Sequence, residues 1–199
     1  MKDYSYLDEN FAKIRNNDTT FIETSVRLCN INHGIYIDIF PLDFYPENRI
    51  KQKIFDIKNT LAIKRINLIF DVKMDKRWDL KSHFINCLSR VLYPTVKCAI
   101  KKREELFKSC KSSRLVANHC GAWRKKEVAP LEWFGEGCEK TFEGLVVTVP
   151  THYDKWLTQV YGGYMKLPPE ERRTTHHFTE IINFNRPYTM YCTEERGES

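Results

Sequence analysis

This chain predicts an α+β fold in which a helical layer covers a sheet. Three observations predict it. Residues near both ends alternate in the period-2 manner of strands, the middle repeats its apolar residues every three or four positions, and prolines mark the boundaries between these regions. With 199 residues the chain is long enough for one good core but short for two full domains. One domain over residues 1–193 is expected, followed by a frayed acidic tail at 194–199. Hydrophobic residues make up 42% and aromatics 13%, a composition that buries a core and argues against disorder.

Phe11 to Arg15 and Thr19 to Glu23 have strand chemistry on either side of the turn-prone Asn16-Asn17-Asp18. Ile35, Ile37 and Ile39 then alternate with Tyr36, Asp38 and Phe40, a strand that Pro41 stops. From Glu47 the period changes. Ile50, Ile54, Ile57 and Leu61 form a helical stripe, Asp79 can cap a second helix through Phe84, Leu88 and Leu92, and Pro94 separates that from a basic third helix at about Thr95 to Cys110. Beyond the helices, Arg114 to Asn118 reads as a strand and Phe142 to Val149 as another, ended by Pro150. Thr151 with Asp154 resembles a capping box for a short helix through Trp156 and Val160, which Gly162 and Gly163 end. After Leu167-Pro168-Pro169 the chain reads as surface loop.

Composition excludes several classes. No apolar run approaches the ~20 residues that cross a bilayer, and the polar first residues have no signal-peptide core, so the expected location is cytoplasmic. Seven cysteines without a C-x-x-C pair argue against a disulfide framework. Cys110, His119, Cys120 and Cys138 lack the tight knuckle spacing of structural zinc sites, so the thiols read as buried or half-buried. The net charge of +6 comes largely from Lys97 to Lys111 and Arg124 to Lys126. It suits a solvated helix face, attraction to phosphate-rich partners, or peripheral association with an anionic membrane surface at the inner face. No nucleic-acid-binding motif accompanies it, which argues against a nucleic-acid partner.

Among residues that can carry chemistry, Asp38 stands out. In a strand it points away from the three isoleucines, between Tyr36 and Phe40, where a carboxylate needs a cation, a metal or a hydrogen-bond donor. An ion pair with Lys13 or Arg15 from a neighbouring strand satisfies that need as well as a functional role does. Asp43 lies in the loop expected beyond Pro41. Lys13 and Arg15 alternate, so both share one strand face and form either a phosphate clamp or a polar surface. His33 enters the strand beside Gly34. Arg172-Arg173-Thr174-Thr175-His176-His177 is a cationic cluster in which one histidine suits a phosphate, while adjacent histidines point apart and rarely share a metal.

Phe11-Ala12-Lys13-Ile14-Arg15-Asn16-Asn17-Asp18-Thr19-Thr20-Phe21-Ile22-Glu23 and His33-Gly34-Ile35-Tyr36-Ile37-Asp38-Ile39-Phe40-Pro41-Leu42-Asp43 together closely resemble the LicD family. So do Phe142-Glu143-Gly144, Val149-Pro150, Tyr161-Gly162-Gly163-Tyr164-Met165, Leu167-Pro168-Pro169 and Arg172 to His177, in the same order. The resemblance implies a nucleotidyltransferase-like mixed sheet and transfer of phosphorylcholine, or a related phosphoalcohol, from a CDP-linked donor. The implied acceptor is a cell-surface glycan of the teichoic acid or lipopolysaccharide type, and fukutin-related proteins are distant relatives. It also implies a divalent metal, for which magnesium suits, held by carboxylates with substrate phosphates and water. Asp38 matches the family's later metal-binding aspartate, with Asp43 as the alternative catalytic carboxylate. Lys13, Arg15, His33, Arg172, His176 and His177 fall to substrate or phosphate.

Two departures temper these expectations. In the family a Gly-rich segment and an Asp-rich cluster precede the Lys-Ile-Arg block by many residues, whereas here ten residues precede Phe11 and the upstream aspartates are Asp3 and Asp8. Gly163 also stands where many relatives carry an acidic residue. The expectation is therefore the C-terminal portion of a LicD-type domain, inactive by itself and with an unpaired sheet edge. A non-catalytic glycan- or partner-binding module is the alternative, and a basic nucleic-acid-binding protein the second.

Overall fold

The computed structural model describes residues 11–27, 30–73, 79–173 and 177–192. In chain order the first strands are β1 (Ala12–Arg15), β2 (Thr20–Glu23), β3 (Tyr36–Ile39) and β4 (Asp43–Tyr45). Helices α1 (Arg49–Lys73), α2 (Leu80–Leu92) and α3 (Val96–Phe107) follow. Then come β5 (Leu115–Ala117), β6 (Val128–Pro130), β7 (Cys138–Phe142), β8 (Leu145–Val149), α4 (Tyr153–Tyr161), β9 (Thr179–Asn183) and α5 (Thr189–Cys192). Helices and strands are both well represented, and the α+β class holds. The described strands form four small antiparallel sheets, β1-β3, β2-β9, β4-β5-β6 and β7-β8, where one mixed sheet was expected. By contacts the chain divides into two compact units, Met1–Phe40 with Met165–Ser199, and Pro41–Tyr164. The tail at 194–199 lies outside the described residues.

In the first unit β1 and β2 flank the predicted turn yet do not pair with each other. Asn16 Oδ1 accepts from the Asp18 amide at 3.0 Å and its carbonyl accepts from Thr19 Oγ1 at 2.8 Å. Thr19 Oγ1 accepts in turn from the Ile35 amide at 3.0 Å, which draws β3 rather than β2 alongside β1. Gly34 is obligatory in this arrangement, because a Cβ there would lie 2.0 Å from the Asn16 carbonyl oxygen. β2 pairs instead with β9, in the stretch expected to be loop. Thr20 is fully buried and donates to the Arg186 carbonyl at 2.8 Å, tying β2 to the chain after β9. Ile14, Ile37 and Ile39 are exposed on the far face of the β1-β3 pair.

The second unit follows the helical reading closely. Asn48 Oδ1 accepts from the Ile50 and Lys51 amides at the start of α1, Asp79 from the Ser82 amide, and Thr95 from the Cys98 amide. These side chains satisfy amides that the first helical turn leaves open. The stripe Ile50-Ile54-Ile57-Leu61 is continuous, but only from Leu61 onward is it covered; the three isoleucines are exposed. Asp43 begins a strand rather than sitting in a loop. The apolar run from Phe142 is a hairpin, with Glu143 (φ 49°) and Gly144 (φ 80°) forming the tight turn between β7 and β8. Thr151 is no helix cap: its hydroxyl accepts from the Gly137 amide and donates to the Phe134 carbonyl, and His152 takes the capping position of α4.

The core of this unit gathers Tyr45, Phe55, Phe107 and Ala117. His119 lies among them, its ring 4.7 Å from that of Phe55 and 4.8 Å from that of Phe107. Its Nε2 is buried without a hydrogen-bond partner among the described residues. Burial, helped by the Arg103 charge and opposed by Asp56 and a bond to the Phe44 backbone, holds the imidazole down at about 4. The unfolded chain therefore takes up a proton between about pH 6.5 and pH 4 that the folded chain refuses. This contribution to stability is complete above pH 6.5 and falls away as the pH drops towards 4, by about 3 kcal/mol in all. Denaturant titrations at pH 7 and 4.5 are expected to show a smaller loss for His119→Phe than for the native chain.

Candidate functional site

The β1-β3 register sets Lys13 opposite Asp38 and Arg15 opposite Tyr36. Because side chains alternate along a strand, all four project from one face, opposite Ile14, Ile37 and Ile39. The Lys13 ammonium is 3.2 Å from Asp38 Oδ1, with the side chains 13% and 29% exposed. The contact is one of charge rather than an aligned bond, for Oδ1 is buried with no hydrogen-bond partner among the described residues. Lys13 also lies 4.0 Å from the centre of the Tyr36 ring and 5.2 Å from that of Phe11, so its cation is held over two π faces. The Arg15 guanidinium lies 4.6 Å from the Tyr36 ring centre and donates through Nη1 to the Gly34 carbonyl at 3.2 Å.

A second layer orients Tyr36. Its hydroxyl donates to Glu23 Oε2 at 3.2 Å, and Glu23 Oε1 lies 2.8 Å from His177 Nδ1. Phe21 packs edge-on against the Tyr36 ring at 5.7 Å. Thr24 bonds through both its amide and its hydroxyl to the Phe178 carbonyl, and Arg27 pairs with Glu180, so the segment carrying His177 is fastened to the end of β2. Burial first, and the Glu23 charge second, push the Tyr36 phenol well above its ordinary range. Tyr36 therefore keeps its proton at any physiological pH and serves as a donor, not a base.

The structure thus brings Lys13, Arg15, Asp38 and His177 together. It realises the ion pair that was one of the two roles open to Asp38. His33 is only 2% exposed, packed against Tyr188 at 6.0 Å, and its ring has no surface to offer a phosphate. Asp43 belongs to the second unit, where burial raises its carboxyl and Lys108 opposes the rise. Arg172 closes a 3-10 turn at Glu170–Arg172, with its side chain outside the described residues, as is His176. Sequence reasoning passed over Tyr36, Glu23 and Phe21. Tyr36 was within reach, since the alternation that exposed Asp38 puts Tyr36 on the same face.

A magnesium ion is what the resemblance implies at Asp38. Among the described residues no group of three His, Cys, Asp or Glu side chains could hold a metal ion. Asp38 offers a single carboxylate, and Lys13 already supplies its counter-charge. These residues do not fit a magnesium site by themselves.

Fold and site together define an α+β protein with a cationic, aromatic-lined face built on a strand pair. The chain is 34% identical over 125 residues to the lipopolysaccharide cholinephosphotransferase LicD of Haemophilus influenzae, a match that covers 59% of this chain and 46% of that protein. It supports membership of the LicD family, which the motifs resemble. The chain spans about half the length of this curated relative. No family model matches the chain, and no solved structure does.

The Lys13–Asp38 pair can be tested directly. Lys13→Met leaves the half-buried carboxylate without its counter-charge and is expected to cost about 1–3 kcal/mol. Asp38→Asn in the same chain should recover part of that loss, and the coupling is read from denaturant midpoints of the four-member cycle.

Proposed function

We propose that this chain acts in the transfer of phosphorylcholine, or a related phosphoalcohol, from a CDP-linked donor to a cell-surface glycan. The match to a cholinephosphotransferase supports a function of that kind at the family level. The observation that carries the proposal in this molecule is the β1-β3 register, which puts Lys13 and Arg15 side by side on one covered face. In such a transfer a glycan hydroxyl oxygen bonds to the donor's phosphocholine phosphorus, the phosphorus–oxygen bond to CMP breaks, and CMP leaves with the electron pair. The proton of the attacking hydroxyl passes to a base.

The proposed roles follow from the geometry. Arg15 keeps N–H groups beyond the one given to Gly34, and its planar fork suits two phosphate oxygens. Lys13 adds a point charge, with Asp38 and the Tyr36 ring fixing where it sits. His177, held through Nδ1 by Glu23, is the residue we assign to phosphate or acceptor binding. Asp38 and Asp43 remain the candidate catalytic carboxylates. Lys13 already supplies the counter-charge of Asp38. A non-catalytic module that binds a glycan or a partner is the second reading, favoured by that same mutual neutralisation.

The test is CDP-choline binding and turnover. Titration calorimetry is expected to show binding that weakens about tenfold or more with Arg15→Ala, as loss of a charge-assisted pair predicts. Incubation of the 199-residue chain alone with CDP-choline, Mg²⁺ and a glycan acceptor is expected to release no CMP. Binding that Arg15→Ala and Lys13→Ala both leave unchanged would move the phosphate site elsewhere, and rapid CMP release would show that this chain suffices.

A further inference from the structure

Helix α2 is amphipathic, but it is turned with its apolar side outward. Its buried residues are Asn86 and Ser89, with Ser82 and Ile85 partly covered on the same side. Leu80 is 89% exposed, Phe84 70% and Val91 76%, and Leu88 and Leu92 are exposed as well. At about 100° per residue, Leu80, Phe84, Leu88 and Val91 fall within one outward arc, on the side away from Ser82, Asn86 and Ser89. Lys81 borders that face on one side, His83 and Arg90 on the other.

This orientation is built into the fold. The small inward side chains of Ser82 and Ser89 allow α2 to pack against α1, and Ser89 satisfies its hydroxyl on the Asn86 carbonyl at 2.8 Å. At the C-terminal end the Tyr93 hydroxyl donates to the Lys58 carbonyl, while Arg65 on α1 donates to the carbonyls of Tyr93 and Pro94 at 2.9 and 2.8 Å. Rolling α2 to bury its leucines would break all three bonds and expose Asn86 to no benefit.

We propose that α2 is a docking surface for an anionic lipid bilayer, lying in the interface with its apolar face down. Charge complementarity selects this occupant. Helix α2 carries Lys81 and Arg90, both exposed, and no acidic residue between Leu80 and Leu92. Of the five further cations up to Lys108, Arg103 is buried and Lys102 and Lys108 pair with Glu105 and Glu104. An apolar stripe bordered by cations on both sides matches a leaflet whose headgroups are negative and whose interior is hydrocarbon. A second copy meeting this face about a two-fold axis would bring like-charged borders together, which is unfavourable. No helix of the described residues is long and apolar enough to cross a membrane, so α2 lies on the surface rather than spanning it. The proposal stands independently of the transferase reading.

Co-sedimentation of the full chain with phosphatidylglycerol/phosphatidylcholine vesicles tests it, with pure phosphatidylcholine vesicles as reference. Binding is expected to the anionic vesicles, weakened tenfold or more by Phe84→Ser with Val91→Ser and, separately, by Lys81→Glu with Arg90→Glu. Because these side chains are solvent-exposed, circular dichroism should be unchanged in both variants. Absence of binding, or binding that neither pair affects, overturns the proposal. So does a dimer in light scattering that the Phe84/Val91 pair converts to monomer without any vesicle binding, which would assign the face to a second copy.

Discussion

The pairing of β1 with β3 in one register is the constraint on which the first unit depends. A slip of β3 by one residue would turn Tyr36 and Asp38 to the opposite side and set Lys13 and Arg15 beside isoleucines instead. Gly34 and the Thr19 hydroxyl guard that register, one by leaving room for the Asn16 carbonyl, the other by bonding both Asn16 and Ile35. Once it is set, the ammonium of Lys13, the ring of Tyr36 and the carboxylate of Asp38 can only meet as they do.

The same constraint explains why the charges of this face are matched within it. Asp38 was legible in the sequence as a carboxylate in need of a partner, and Lys13 as a candidate for that partner. What the sequence could not reveal was that Glu23 joins His177 to this face, because β2 and the segment around β9 meet through a pairing that is not local. β2 and β9 stand far apart in the chain, and Thr179–Asn183 follows a double proline that reads as loop. The helices were easier, since Asp79, Thr95 and Pro94 mark their ends through local bonds that need no distant partner. Hairpin β7-β8 was hidden for another reason: its first strand, Cys138-Glu139-Lys140-Thr141-Phe142, carries two poor strand formers, so Glu143-Gly144 read as part of the following strand and not as a turn.

Burial of polar groups has different meanings in the two units. In the first, Glu23, Tyr36 and His177 satisfy one another and hold a charged face in place. In the second, His119 is a neutral aromatic filler among Tyr45, Phe55 and Phe107.

Helix α2 upsets a common equation between hydropathy and structural importance. Along it, the serines and the asparagine are the residues on which the fold rests, and the leucines are passengers as far as folding is concerned. Natural variation at Leu80, Phe84 and Val91 should therefore read as a record of what the surface meets, whereas a change as mild as Ser89 to leucine would be a structural lesion. Scores that infer burial from residue type alone would rank those substitutions in the wrong order.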